Sequence, residues 1–213
     1  MIRVIWVMVC VLLAACGGGG GGANYGGDPV IPPPPPPDPR LARLDEYREQ
    51  KIRVLGDAVS GVTGMAVMTA DLPAQGAAAF SGFATLRVEG AQPLILSGDA
   101  RLDVDFGAGQ VSGGMDRFFG TGPGGGATDY DGTITITGGE VQHDLRLHYT
   151  GALTGAAQQL ALSGDMAGKF LNDPLRAVTA ADLAARVVQN GQHRDGTLVI
   201  VAETEGVVMP QPP

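Results

Sequence analysis

His143 and His148 stand five residues apart in a stretch where apolar and polar positions alternate. Imidazole nitrogen is the commonest protein ligand for zinc, copper and non-haem iron. Strand side chains alternate faces, so an odd spacing sends the two rings to opposite sides of a sheet. They cannot share an ion as strand neighbours. Structural roles are expected instead, with His143 on the core face, His148 exposed and His193 in a surface turn. Asp99, Asp103 and Asp105 share one face with Arg101 between them. Three carboxylates are raw material for a hard-cation site, but their alternation with Ala100, Leu102, Val104 and Phe106 predicts a solvated strand face. Asp129-Tyr130-Asp131-Gly132 opens like a calcium loop, yet the later ligands and the closing glutamate do not follow. A turn leading into a strand is expected there. Gly120-Thr121-Gly122-Pro123-Gly124-Gly125-Gly126 has the glycine content of a phosphate cradle without the Lys-Ser/Thr that grips the nucleotide. It reads as a loop at one end of the domain and as a contact surface. No nucleophile stands beside an oriented base, so no catalytic, cofactor-binding or metal-binding residue is assigned, and an enzyme is not expected.

The remaining chemistry is cysteine chemistry. The two cysteines are Cys10 and Cys16, both near the amino terminus. Val4 to Leu13 is an apolar run too short for a bilayer, which needs about 20 residues. With Arg3 in front and small residues behind, it fits the apolar region of a secretory signal. Leu13-Ala14-Ala15-Cys16 resembles the lipobox of bacterial lipoproteins. That resemblance implies removal of residues 1–15, a diacylglyceryl group on the Cys16 thiol and acylation of the new amino terminus. Several acyl chains anchor a protein stably where one does not. Gly17 is compatible with sorting to the outer membrane. Residues 16–38 then form a lipidated tether: Gly17 to Gly22 is a flexible joint, and Pro32 to Pro37 a polyproline II rod of about 19 Å. The mature domain keeps no cysteine for a disulfide. A net charge of −8 argues against nucleic acid and against a second, electrostatic grip on anionic lipid.

Apolar periodicity places the elements. A helix is expected over residues 39–57, capped by Asp38, opened by Pro39 and stopped by Gly56. Its narrow stripe is Leu41, Leu44, Arg48, Lys51, Ile52 and Leu55, packed on the outside or end of the domain. From Val62 onward the period changes to two, within a barrel domain expected over residues 58–206. Eight strands are predicted, roughly 62–70, 78–89, 93–106, 109–119, 130–137, 140–150, 157–170 and 196–204, with Gly138-Gly139 as a two-residue hairpin turn. A short helix, Thr179 to Asn190, is inserted before the last strand, on a Thr-x-x-Asp cap. Residues 207–213 are expected to be a disordered tail. The fold class is all-β: an eight-stranded antiparallel barrel with inward glycines (Gly82, Gly98, Gly113, Gly164 and Gly168) and an interior filled by Leu, Met and Phe.

The run from Ser97 to Phe106, with Gly109-Gln110-Val111-Ser112-Gly113 across the hairpin and Ala167-Gly168-Lys169-Phe170 later, resembles the barrels of transferrin-binding protein B-like lipoproteins. The resemblance covers about residues 62–204. It implies a membrane-anchored surface or outer-membrane lipoprotein that binds a protein or a small nutrient carrier, in iron or haem uptake, with no chemistry of its own. Receptors of that family have two lobes with handle domains and aromatic-rich loops. This chain has one barrel, so no ligand-binding residue is carried over. The alternative is a periplasm-facing structural or assembly lipoprotein of the envelope.

Overall fold

The computed structural model describes residues 36–65, 68–121, 127–141, 144–204 and 206–209. Cys16, the tether to Pro35 and His143 lie outside them. The described residues form one helix, α1 (Pro39–Leu55), and eight strands: β1 (Ala77–Val88), β2 (Leu94–Asp105), β3 (Gln110–Thr121), β4 (Ala127–Val141), β5 (Leu145–Gly155), β6 (Gln158–Leu171), β7 (Ala177–Gln189) and β8 (Gln192–Glu203). Each strand pairs antiparallel with the next, and β8 returns to β1 from Ser81↔Glu203 to Val88↔Gly196. The sheet is therefore a closed barrel, which leaves no free edge.

Alternation in the sequence builds the wall. On β2, Leu94, Leu96, Gly98, Ala100, Leu102 and Val104 are buried while the residues between them are half-buried or exposed. Inside, Phe80, Phe118, Tyr130, Met115 and Ile134 meet the leucines of β2, β5 and β6 in one continuous core. Side chains fill the interior, as expected. An apolar inside and a charged outside reverse the arrangement of a membrane-spanning barrel. Among the described residues no helix is long and apolar enough to cross a membrane.

Three predicted elements are corrected. The inserted helix over Thr179 to Asn190 is instead β7. Ala and Leu gave the segment helical character, but it lies between β6 and β8 and pairs with both, and such tertiary pairing overrides propensity. A register shift between Asp182 and Ala185 hid the alternation, since it resets which residues face inward. Asn190-Gly191, with φ of 49° and 80°, is a hairpin turn rather than a helix stop. The predicted strand 62–70 does not join the barrel. Its described residues make only single bridges, Asp57↔Val62 and Met68↔Leu171, and Met65 packs against the helix. Finally, Gly138-Gly139 is not the turn: β4 runs on to Val141↔Leu145, with a shift between Ile136 and Gly138 absorbing the glycines. Within the stretch 207–213, Val208 pairs with Ala77 through two backbone hydrogen bonds of 2.8 and 3.0 Å.

Candidate functional site: a polar groove beside the docked helix

Asp38 caps α1 as its sequence suggests, accepting from the Arg40 amide at 3.0 Å, and Gly56 ends it with φ 78°. The Arg40 guanidinium also holds the Asp38 carboxyl below its usual range. The face turned to the barrel, however, is not the predicted stripe. Arg43, Tyr47, Gln50 and Val54 face inward, and Leu41, Leu44 and Leu55 are exposed. The burial of Tyr47 explains the rotation. Its ring stacks on Phe83 at 5.3 Å and Phe119 at 6.3 Å, two aromatics on the outer wall of the barrel. Val54, Leu171, Ala177 and Val201 complete this second apolar cluster.

A charged knot sits beside the stack. The Tyr47 hydroxyl donates to Asp99 Oδ1, and Arg43 Nη2 donates to the same oxygen at 3.1 Å. The Arg43 guanidinium lies 4.6 Å from the centre of the Phe119 ring, a cation–π contact. Arg117 closes against Asp99 Oδ2 as an ion pair without directed hydrogen-bond geometry. Burial pushes the Tyr47 phenol above its ordinary value, and the Arg43 hydrogen bond opposes that rise. A bulge makes the knot possible. Ser97 faces Phe119 and Asp99 faces Asp116, so β3 carries one residue more than β2 across this interval. With Arg117 at φ 50°, Phe118 points into the core and Phe119 outward under the helix.

Between this knot and the rest of α1 opens a groove of about 840 Å³. Glu46, Gln50 and Arg53 form one bank, and Arg101, Asp103 and Asp116 the other, over a low floor of Gly82, Gly113 and Gly114. Gln50 Nε2 donates to the Ser81 carbonyl at 2.9 Å, and Arg53 pairs with Glu203 at 2.7 Å. Both signs of charge are present and largely matched within the protein. Such a surface presents hydrogen-bond donors and acceptors at fixed positions.

The predicted site residues are dispersed. Asp99 is not on a solvated face: its side chain is only 20% exposed and held by three partners. Asp103 pairs with Arg101 at 3.0 Å, and Asp105 accepts from the Ala108 amide at 2.9 Å, so the three carboxylates act separately. Among the described residues no group of three potential ligands is poised for a metal ion. His148 is exposed beside Asp165. His193 is exposed on β8 opposite Val188, not in a turn. Asp129 to Gly132 lies within β4 rather than in a turn leading into it. Of the Gly120–Gly126 loop, only the strand ends at Gly120, Thr121 and Ala127 flank a described position, and the Ala127 carbonyl accepts from Arg40 at 3.0 Å.

A second polar pair lies inside the barrel. Tyr149 donates to Asp182 Oδ2 at 2.9 Å, directly over Gly164, where a Cβ would stand 2.8 Å from both oxygens. Burial, then Asp182, pushes the Tyr149 phenol far above its ordinary value. Sequence reading did not single out Arg43, Tyr47, Phe83, Arg117 or Phe119, and it took Asp182 for part of a helix cap. The spacing of Arg43, Tyr47, Gln50 and Val54 (four, three, four) was the available signal for the helix face.

No protein-family model matches this chain, and no curated protein does.

Proposed function

We propose that this chain is a lipid-anchored outer-membrane protein that serves as a non-catalytic binding module. Cys16 carries the lipid, residues 16–38 hold the barrel off the bilayer, and the groove beside α1 receives the partner. The partner class is a protein or small nutrient carrier. The resemblance to transferrin-binding protein B-like lipoproteins adds iron or haem acquisition to that reading.

One observation carries the proposal. The barrel interior is packed with side chains, so it works as a rigid scaffold, and a polar groove of about 840 Å³ lies on its outer wall. Rigid elements present a recognition surface at little entropic cost. A tether keeps that surface at high effective concentration near its partner.

Protease shaving of intact cells, with a periplasmic protein as control, tests the exposure. Loss of the domain while the control survives supports a surface receptor, and capture with iron- and haem-carrying proteins then follows. Survival of the domain until the outer membrane is opened defeats the receptor reading and leaves the envelope role. The variant Cys16→Ser should leave the membrane fraction. If it stays there, the anchor lies elsewhere.

A further inference from the structure

The charge of the barrel wall is unevenly spread. β2, β3 and β4 together carry seven Asp and Glu against two Arg, while β5 to β8 carry four of each sign. The groove beside α1 is cut into the acidic half: Asp103, Asp116 and Thr133 along it come from those three strands. A cleft in a wall with a surplus of one sign focuses the field and draws in the opposite charge.

The arginines of the groove do not cancel that surplus, because each is already engaged. Arg53 pairs with Glu203 and Arg101 with Asp103. Arg43 and Arg117 both close on Asp99. Two carboxylates are left over, one on each bank. Glu46 is exposed on α1 and, among the described residues, has no hydrogen bond or ion pair. Asp116 is 58% exposed on β3 and meets only Arg117, at 3.9 Å, an arginine that Asp99 already holds. The two free cations of the helix do not reach them. At 100° per residue, Arg48 and Lys51 leave α1 about 160° and 140° round from Glu46.

Between the banks the floor is low. Gly114 lines it, and a Cβ there would make only ordinary contact, 3.4 Å from the Ile134 carbonyl. A groove of about 840 Å³ lying open on the outer wall does not enclose a small amine. An extended chain can lie along it and send one long side chain down between the two carboxylates.

We propose that the groove takes a cationic partner: a Lys or Arg side chain on an extended segment of another protein, seated between Glu46 and Asp116. This rests on the reading of the groove as the partner site and adds the charge of what enters it. The acidic half of the wall steers the partner in, and the two carboxylates accept from its ammonium or guanidinium group.

The probe is a rhodamine-labelled peptide, Lys-Gly-Lys-Gly-Lys, titrated by fluorescence anisotropy into the full chain, with Glu-Gly-Glu-Gly-Glu and Ser-Gly-Ser-Gly-Ser beside it. Only the lysine peptide should bind, less tightly as salt rises. Glu46→Gln with Asp116→Asn, both exposed and isosteric, should weaken it about tenfold. Asp144→Asn with Asp195→Asn, the same charge change outside the groove, should leave it within about twofold. Gly114→Leu, which fills the floor, should abolish binding. Equal weakening by the two pairs reduces the effect to net charge and overturns the seat. A glutamate or serine peptide that binds and is lost on Gly114→Leu keeps the groove as the partner site and overturns the cation. Lysine-peptide binding that survives Gly114→Leu puts the cation elsewhere and overturns the proposal. Silence of all three peptides at millimolar concentration overturns it too. Free spermidine that binds more tightly than the lysine peptide assigns the groove to a small polyamine and overturns the protein partner.

Discussion

Replacing Tyr47 separates the two forces that hold α1 on the barrel. Tyr47→Phe keeps the stack on Phe83 and Phe119 and removes only the hydroxyl that donates to Asp99. A hydrogen bond to a charged group is worth about 1.5–3 kcal/mol. Asp99 keeps Arg43 and Arg117, so the lower end applies, about 1.5 kcal/mol. Tyr47→Ala also removes an aromatic that is 8% exposed. Aromatic truncation in a core costs about 3–5 kcal/mol, and the lower end suits a ring on the outer wall. The two variants should therefore lose about 1.5 and 4.5 kcal/mol of helix docking. Native-state amide exchange reads these losses locally. At 1.4 kcal/mol per decade, α1 amides should exchange about tenfold faster in Tyr47→Phe and about a thousand-fold faster in Tyr47→Ala. Both figures are ceilings, reached while docking opens independently of the barrel. Core amides of β5, which contributes no residue to the cluster under α1, should change least. Equal acceleration in the two variants would refute the stack as the main force. Equal acceleration across the whole barrel would refute the helix as a separate cooperative unit.

Further outcomes follow from the same geometry. Gly164→Ala puts a Cβ 2.8 Å from Tyr149 Oη and Asp182 Oδ2, and overpacking of this kind lowers stability by about 1–3 kcal/mol, read as a lower urea midpoint with unchanged slope. The Tyr149 phenol is raised in the fold, so above pH ~10 the unfolded chain releases its proton first and stability falls as pH rises through that range. Urea titrations from pH 8 to 11 should show this fall, and Tyr149→Phe should show a shallower one. Arg53→Ala breaks a half-exposed pair with Glu203 and should cost less than about 1 kcal/mol, a small shift in the thermal midpoint that shrinks further in salt.

Strands whose alternation is unbroken were legible. Leu94 to Phe106, Leu145 to Tyr149 and Leu160 to Phe170 fall where period two places them, because each buries one face against the same core. What was hidden sits at irregularities. The shift near Asp182 disguised β7, and the extra residue on β3 turned Phe119 outward and set Arg117 beside Asp99. Pattern counting has no symbol for an inserted residue, since a bulge reverses every later assignment on its strand. The helix misled for another reason. Its apolar residues spread over one broad arc from Val54 and Tyr47 round to Leu41 and Ile52, and the leucine half outweighed the Tyr47 edge on hydropathy alone. Phe83, next to inward Ala84, was the clue on the barrel side that the outer wall there is covered.

Closure of the barrel also orders its assembly. Every ladder but one joins strands adjacent along the chain, and each can zip from a local hairpin within microseconds. The exception joins β1 to β8 across more than a hundred residues, and the entropy of closing so long a loop exceeds that of a short hairpin by about 2 kcal/mol. Until that seam shuts, Leu198-Val199-Ile200-Val201 is an open edge with the composition of a sticky strand. α1 lies across this seam, touching Phe83 and Ser81 on one side and Val201 and Glu203 on the other. It is a latch over the last joint to form. Nascent chains whose latch is cut should therefore fail by aggregation sooner than by slow folding.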